Sequence, residues 1–170
     1  MIKSLSGVLL IVVGCWSAGA MVSNFHKKEA DMLRQLVRFV EYIICDLQFR
    51  LTPLPQLLQS AKHLVSGSIL DVLTCFIYDL ESQIYPNVST CLEHSLNCCR
   101  TVSPRCKKFL VLIGTSLGNF DLGGQLSCLN TARDSIAREL NELEISLPRV
   151  IKCCHAYAVS IGVILALLLL

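Results

Sequence analysis

The sequence predicts an all-α protein, an antiparallel six-helix bundle flanked by N-terminal and C-terminal transmembrane helices. Leu5–Val22 and Ala156–Leu170 are almost free of polar side chains, and an apolar stretch of about 18 residues can cross a bilayer core of about 30 Å. Between these ends, apolar residues recur at steps of three and four, which is the period of an amphipathic α-helix. The predicted domains are a membrane helix over 1–23, a bundle over 24–152 and a membrane helix over 153–170.

The N-terminal apolar segment is interpreted as an uncleaved membrane anchor. Ala18-Gly19-Ala20 is a candidate signal cleavage site and Val13-Gly14-Cys15 a weak lipoprotein site, but the segment is long for a signal peptide and continues into a helical sequence without a turn. Positive charges follow the first predicted span and precede the second: Lys27, Lys28, Arg34, Arg38, Arg149 and Lys152. Because positive charge favours the cytoplasmic side, we expect a cytoplasmic central domain with both termini on the other side of the membrane.

The first bundle helix is expected over 24–51, where neither glycine nor proline interrupts the apolar period. It should therefore continue the N-terminal span as one long helix. Thr52-Pro53-Leu54-Pro55 ends it, because a proline disfavours helix at the preceding residue, and the threonine can cap a second helix that reaches about Leu64. Ser66-Gly67-Ser68 supplies a turn with a second cap, and the apolar residues from Ile69 to Leu80 mark a third helix.

Tyr85-Pro86-Asn87 closes the third helix, and Ser89 is the expected cap of a short fourth helix. After the loop that ends at Pro104, a fifth helix is expected as far as Leu117. Asp121 caps the sixth and longest helix, whose leucines continue at steps of three and four. The short loops between these helices favour an antiparallel bundle.

Composition and motifs argue against several classes of function. The net charge is only +2 and aromatic residues make up 6% of the chain, so the sequence offers neither a basic run nor a stacking surface for nucleic acid. It also contains no glycine-rich phosphate loop, no Gly-x-Ser-x-Gly elbow and no His-Glu-x-x-His motif. We therefore expect a protein that is not an enzyme and that uses no cofactor.

The ten cysteines are typical either of a secreted disulfide framework or of a chain that buries reduced thiols. Cys98-Cys99 and Cys153-Cys154 are adjacent pairs, which rarely bridge to each other, so reduced thiols in a cytoplasm-facing domain are favoured. No metal site is expected, because adjacent residues on a helix point about 100° apart and cannot easily reach one ion. The residues considered as zinc ligands are His94, Cys98, Cys99, Cys106, Cys153, Cys154 and His155.

Two motifs lie between the apolar ends, Asp46-Leu47-Gln48-Phe49-Arg50-Leu51-Thr52-Pro53-Leu54-Pro55 and Leu117-Gly118-Asn119-Phe120-Asp121-Leu122-Gly123-Gly124-Gln125. In this order, and with the segment Tyr157–Gly162 before the last apolar run, they resemble the stage III sporulation protein AB family of endospore-forming bacteria. That family places an acidic residue and a tyrosine before Thr-Pro-Leu-Pro, where this sequence has Asp46 and Phe49. The resemblance covers essentially the whole chain.

The resemblance implies a fold similar to the six-helix cytoplasmic domains of type II secretion F-type platform proteins. It also implies a scaffold subunit of a complex joining mother cell and forespore, placed in the mother-cell membrane around the forespore. The implied partners are a cytoplasmic secretion-type ATPase and other membrane subunits of that complex. The predicted membrane helices are expected to contact lipids and to pack on membrane partners or on a second copy of the chain. The residues expected to serve partner binding or structure are Thr52, Pro53, Leu54, Pro55, Leu117, Gly118, Asp121 and Gln125.

The residues leave one alternative of a different class open, a secreted or lipid-anchored helical protein stabilised by disulfides. A count of free thiols separates the two hypotheses. Mostly reduced cysteines support the cytoplasmic scaffold, whereas four or five bridges support the secreted protein.

Overall fold

The structure is a computed structural model that describes residues 2–99, 101–119 and 121–169, with side chains mainly over 24–117 and 121–146. All regular elements in these residues are helical, which confirms the predicted all-α class and the number of six α-helices. They are α1 (Ile2–Phe49), α2 (Leu54–Ala61), a 3-10 turn (Lys62–Leu64), α3 (Ser68–Glu81), α4 (Val88–Cys98), α5 (Pro104–Asn119) and α6 (Leu122–Leu169).

The chain forms two compact units, one over Asp31–Leu140 and the other from Met1–Ala30 together with Asn141–Leu170. Within the part of the chain that the structure describes, no helix has both the length and the hydrophobicity required of a membrane span. The side chains of residues 2–20 and 161–169, on which the predicted spans chiefly depend, lie outside the described residues.

The core of the Asp31–Leu140 unit is apolar. Leu33, Leu36 and Val40 of α1 are buried, as the apolar period predicts, and Phe39 joins them. Side chains from α1 to α5 line a central cavity of about 20 Å³, so these five helices share one core. Helix α6 adds a buried stripe with the same period, formed by Leu129, Ala132 and Ile136.

Consecutive helices pack against each other in the middle of the chain, α2 on α3, α3 on α4 and α4 on α5. At the last contact, a Cβ added to Gly114 of α5 would meet the Leu92 side chain of α4. The absence of a side chain at Gly114 therefore permits the close approach of these two helices.

Three of the predicted helix caps are wrong. Helix α2 starts after Pro53 rather than Thr52, because the Thr52 hydroxyl donates to Asp46 instead. Helix α3 starts after Gly67 and not after a capping serine. Gly67 has a positive φ of 59°, which residues with a side chain, such as serine, rarely adopt. Helix α4 starts after Asn87, which places Ser89 inside its first turn.

Candidate functional site

Asp46 holds the junction between α1 and α2. Its backbone carbonyl accepts the N–H groups of Arg50 at 2.7 Å and Leu51 at 3.0 Å. Its carboxylate accepts the Thr52 N–H at 3.2 Å and the Thr52 hydroxyl at 3.0 Å. Asp46 is only 6% exposed. Through these hydrogen bonds, this buried residue both closes the C-terminus of α1 and fixes the start of Thr52-Pro53-Leu54-Pro55.

The turn at this junction is strained. Leu51 has a φ of +54°, and a left-handed backbone costs a residue with a Cβ about 1–2 kcal/mol. Such a conformation persists where the surrounding structure fixes it. Here the N–H groups of Leu51 and Thr52 both donate to Asp46, and these two hydrogen bonds hold the backbone of Leu51 in place.

Apolar side chains project from the strained turn. Phe49 is 79% exposed and Leu51 is 63% exposed, and Pro53 is exposed beside them. We call Phe49, Leu51 and Pro53 the α1–α2 corner. Leu54 and Pro55 are half-buried at the start of α2, so the motif divides into an inward part that closes the junction and an outward apolar part.

The second motif forms the junction between α5 and α6. The Asp121 carboxylate accepts the Gly124 N–H at 3.2 Å, and its carbonyl accepts the Gln125 N–H at 2.8 Å, which confirms the predicted cap. The Gln125 side-chain amide donates back to the carbonyl of the buried Leu117 at 3.3 Å. Gly118 lies within the last turn of α5, so the residues of this motif that the structure describes join two helix ends.

The structure also brings together three metal-ligand groups that the sequence reasoning missed as a set. The thiols of Cys75 on α3 and Cys98 on α4 and the imidazole of His94 offer ligand atoms that all lie within 4.8 Å of one another. The sequence signal was the spacing of four between His94 and Cys98, which places both on one helix face. Adjacent residues such as Cys98 and Cys99 cannot easily reach one ion, whereas residues four apart on a helix can.

The eight cysteines whose side chains the structure describes form no disulfide bond. Burial raises the pKa of the Cys75 thiol above its ordinary value of 9.0, and the charges of Asp79 and Cys98 raise it further while a hydrogen bond from Ser95 lowers it. Burial likewise raises the pKa of the Cys91 and Cys99 thiols. These groups therefore resist ionisation in the folded chain.

Comparison with known proteins gives one family and one fold. The family model described as stage III sporulation protein AB matches residues 4–170. No curated protein matches the sequence. A solved structure titled "Stage III sporulation protein AB" is similar with a TM-score of 0.63 and 18% identity, over 71% of this chain and 97% of that chain. At this identity, the likeness between the two structures shows a shared helical fold.

Proposed function

The chain belongs to the stage III sporulation protein AB family, and from this premise we propose that it is a membrane-anchored scaffold subunit of a secretion-like sporulation complex. Family membership supports a role as a sporulation complex subunit. In this proposal the complex joins mother cell and forespore, and the protein acts by binding rather than by catalysis.

Two membrane helices, over 1–23 and 153–170, anchor the protein in the mother-cell membrane around the forespore in this proposal. The apolar composition of Leu5–Val22 and Ala156–Leu170 supports it, as does the helical backbone of both segments, because helices satisfy their own backbone hydrogen bonds in lipid. The flanking lysines and arginines support a cytoplasmic domain over 24–152.

The α1–α2 corner is the proposed docking surface for a cytoplasmic secretion-type ATPase. The observation that carries this assignment is the exposure of Phe49 and Leu51 on a turn that Asp46 holds in a strained conformation. Exposed apolar groups of this kind mark interaction sites, and large aromatic anchors dominate binding energy at interfaces. In this proposal the membrane helices contact other membrane subunits or a second copy of the chain.

The anchoring proposal is tested with compartment-sensitive reporters, one inserted in the exposed loop at Asn87 and one fused after Leu170. We expect a cytoplasmic Asn87 reporter and a C-terminal reporter on the other side of the membrane. An external reporter at Asn87 would contradict the proposal and favour the secreted or lipid-anchored protein. Labelling of free thiols in the same cells then shows whether disulfides have formed.

The docking proposal is tested by Phe49→Ser, with Tyr78→Ser as the matched control. Both aromatic side chains are largely exposed, so neither change should unfold the bundle. We expect Phe49→Ser to lose co-purification of the ATPase and to lower spore yield, whereas Tyr78→Ser should retain both. Normal ATPase binding by Phe49→Ser at wild-type expression would exclude the corner as the docking surface.

A further inference from the structure

Two thiols and an imidazole converge between α3 and α4. Nε2 of His94 lies 3.7 Å from Sγ of Cys98, and Sγ of Cys75 lies within 4.8 Å of Sγ of Cys98 and of a ring nitrogen of His94. Around a tetrahedral zinc ion, a thiolate sulfur at about 2.3 Å and an imidazole nitrogen at about 2.1 Å are about 3.6 Å apart. The His94–Cys98 pair already has this spacing, and Cys75 reaches it with a side-chain shift of about 1 Å.

Asp79 determines which ring nitrogen of His94 carries the proton and which one is left to bind a metal ion. Its Oδ2 lies 2.8 Å from Nδ1 of His94, and a carboxylate only accepts hydrogen bonds, so Nδ1 carries the proton. In the neutral imidazole, Nε2 then has the free lone pair, and Nε2 is the atom next to Cys98. Histidines that bind metals almost always donate their other N–H to such a group.

The support for this histidine is itself well fixed. Asp79 is only 2% exposed, and the hydroxyl oxygen of the buried Ser95 lies 3.3 Å from its Oδ2 and 2.9 Å from the Cys91 carbonyl oxygen. Asp79 belongs to α3, whereas His94 and Ser95 belong to α4. The hydrogen bond between Asp79 and His94 therefore joins the two helices that supply the ligands. This bond helps to keep the three ligands in their relative positions.

The three groups are also accessible to an ion from solvent. The His94 side chain is 42% exposed, Cys98 is exposed and Cys75 is half-buried. An ion can enter from the exposed side, and water can occupy a fourth coordination position there.

We propose that Cys75, His94 and Cys98 bind one zinc ion, with Asp79 as the positioning residue for His94. Two thiolates and an imidazole are a ligand set that suits zinc. On binding, the two S–H protons are released to water and two Zn–S bonds and one Zn–N bond form. The ion joins α3 to α4, so it stabilises the folded bundle by mass action. This site is independent of the proposed docking corner.

The test uses the full chain, purified in detergent under anaerobic reducing conditions, loaded with zinc and freed of excess metal. We expect one zinc per chain by elemental mass spectrometry, and thiolate-to-metal absorption after replacement of zinc by cobalt. Cys75→Ser and Cys98→Ser should each weaken zinc binding at least about 10-fold. Cys45→Ser, at an exposed thiol of α1, should bind as the wild type does.

Asp79→Asn provides a second readout. We expect zinc affinity to fall about 10–100-fold, which is typical for loss of a partner behind a ligand, while the thiolate-to-cobalt absorption remains. Three results would overturn the proposal: no stoichiometric zinc in wild-type protein with free thiols, equal affinity in Cys98→Ser, or isolation of a Cys75–Cys98 disulfide in place of the metal-bound form.

Discussion

Thr52 and Asp121 hold comparable places in two sequence motifs, and their side chains act in opposite directions along the chain. The Thr52 hydroxyl donates backward to Asp46 in the helix that has just ended. The Asp121 carboxylate accepts forward, from the Gly124 amide in the helix that is beginning. The Asp121 side chain accepts an N–H that the start of a helix would otherwise leave unpaired, and the Thr52 hydroxyl is a donor to the buried Asp46 carboxylate, so each is expected to contribute to stability.

Thr52→Val should lower the free energy of unfolding by about 1–2 kcal/mol, because it removes a donor from the buried Asp46 carboxylate. Thr52→Ser keeps the hydroxyl and should remain within about 0.5 kcal/mol of the wild type. Urea unfolding monitored by circular dichroism measures both variants. A loss of stability in Thr52→Ser with none in Thr52→Val would show that the threonine methyl group, rather than the hydrogen bond, stabilises the junction.

Asp121→Ala should destabilise the bundle by about 1 kcal/mol through loss of the helix cap. Asp121→Asn is the control, since asparagine caps about as well as aspartate. Thermal unfolding of both variants gives the comparison. If Asp121→Ala leaves the melting midpoint unchanged and yet blocks assembly of the complex, Asp121 is a docking residue instead.

For the helices, local sequence patterns predicted which faces are buried, but they did not predict how the helices pack against one another. The apolar period of α1 identified its buried face, including Leu33 and Leu36, because a solvent-exposed helix must bury one stripe. The sequence likewise predicted the helix cap at Asp121. The grouping of Cys75 with His94 was not, since it depends on how α3 packs against α4, which sequence spacing within one helix does not encode.

The contact between α4 and α5 at Gly114 gives a prediction at this scale. A methyl group there would press on Leu92, but the neighbouring cavity of about 20 Å³ gives that side chain room to move. Alanine also favours helix over glycine by about 1 kcal/mol. Gly114→Ala should therefore stay within about 1 kcal/mol of the wild type, as measured by thermal unfolding.

Gly114→Val is the matched variant, because its larger branched side chain exceeds the space that the cavity provides. It should destabilise the bundle by about 1–3 kcal/mol. If valine is tolerated as well as alanine, the two helices can separate at little cost and their close approach is not a constraint on the fold.

For the whole molecule, buried thiols link stability to alkaline pH. Burial raises the pKa of the Cys91 thiol above 9.0, and the Asp79 charge adds to this effect. Cys75 and Cys99 shift in the same direction. An unfolded thiol ionises near its ordinary pKa while the folded one stays protonated, so the stabilising contribution is complete below pH 9.0 and is lost as the pH rises toward the folded pKa.

The free energy of unfolding of the metal-free protein should therefore fall as the pH is raised above 9.0. Urea unfolding at a series of pH values measures the slope, and Cys91→Ala should make it shallower despite its lower stability at neutral pH. An identical slope in the two proteins would mean that other titrating groups cause the loss.

The alternation of inward and outward residues at the end of α1 has a consequence for genetics. A screen for sporulation-defective alleles would recover changes at Asp46 and Thr52 together with changes at Phe49 and Leu51, and sequence position alone could not sort them. Alleles at the two inward residues should be temperature-sensitive and recover at low growth temperature. Under the proposed docking role of Phe49 and Leu51, alleles at these two outward residues should instead be restored by compensating suppressor mutations in the gene for the proposed partner.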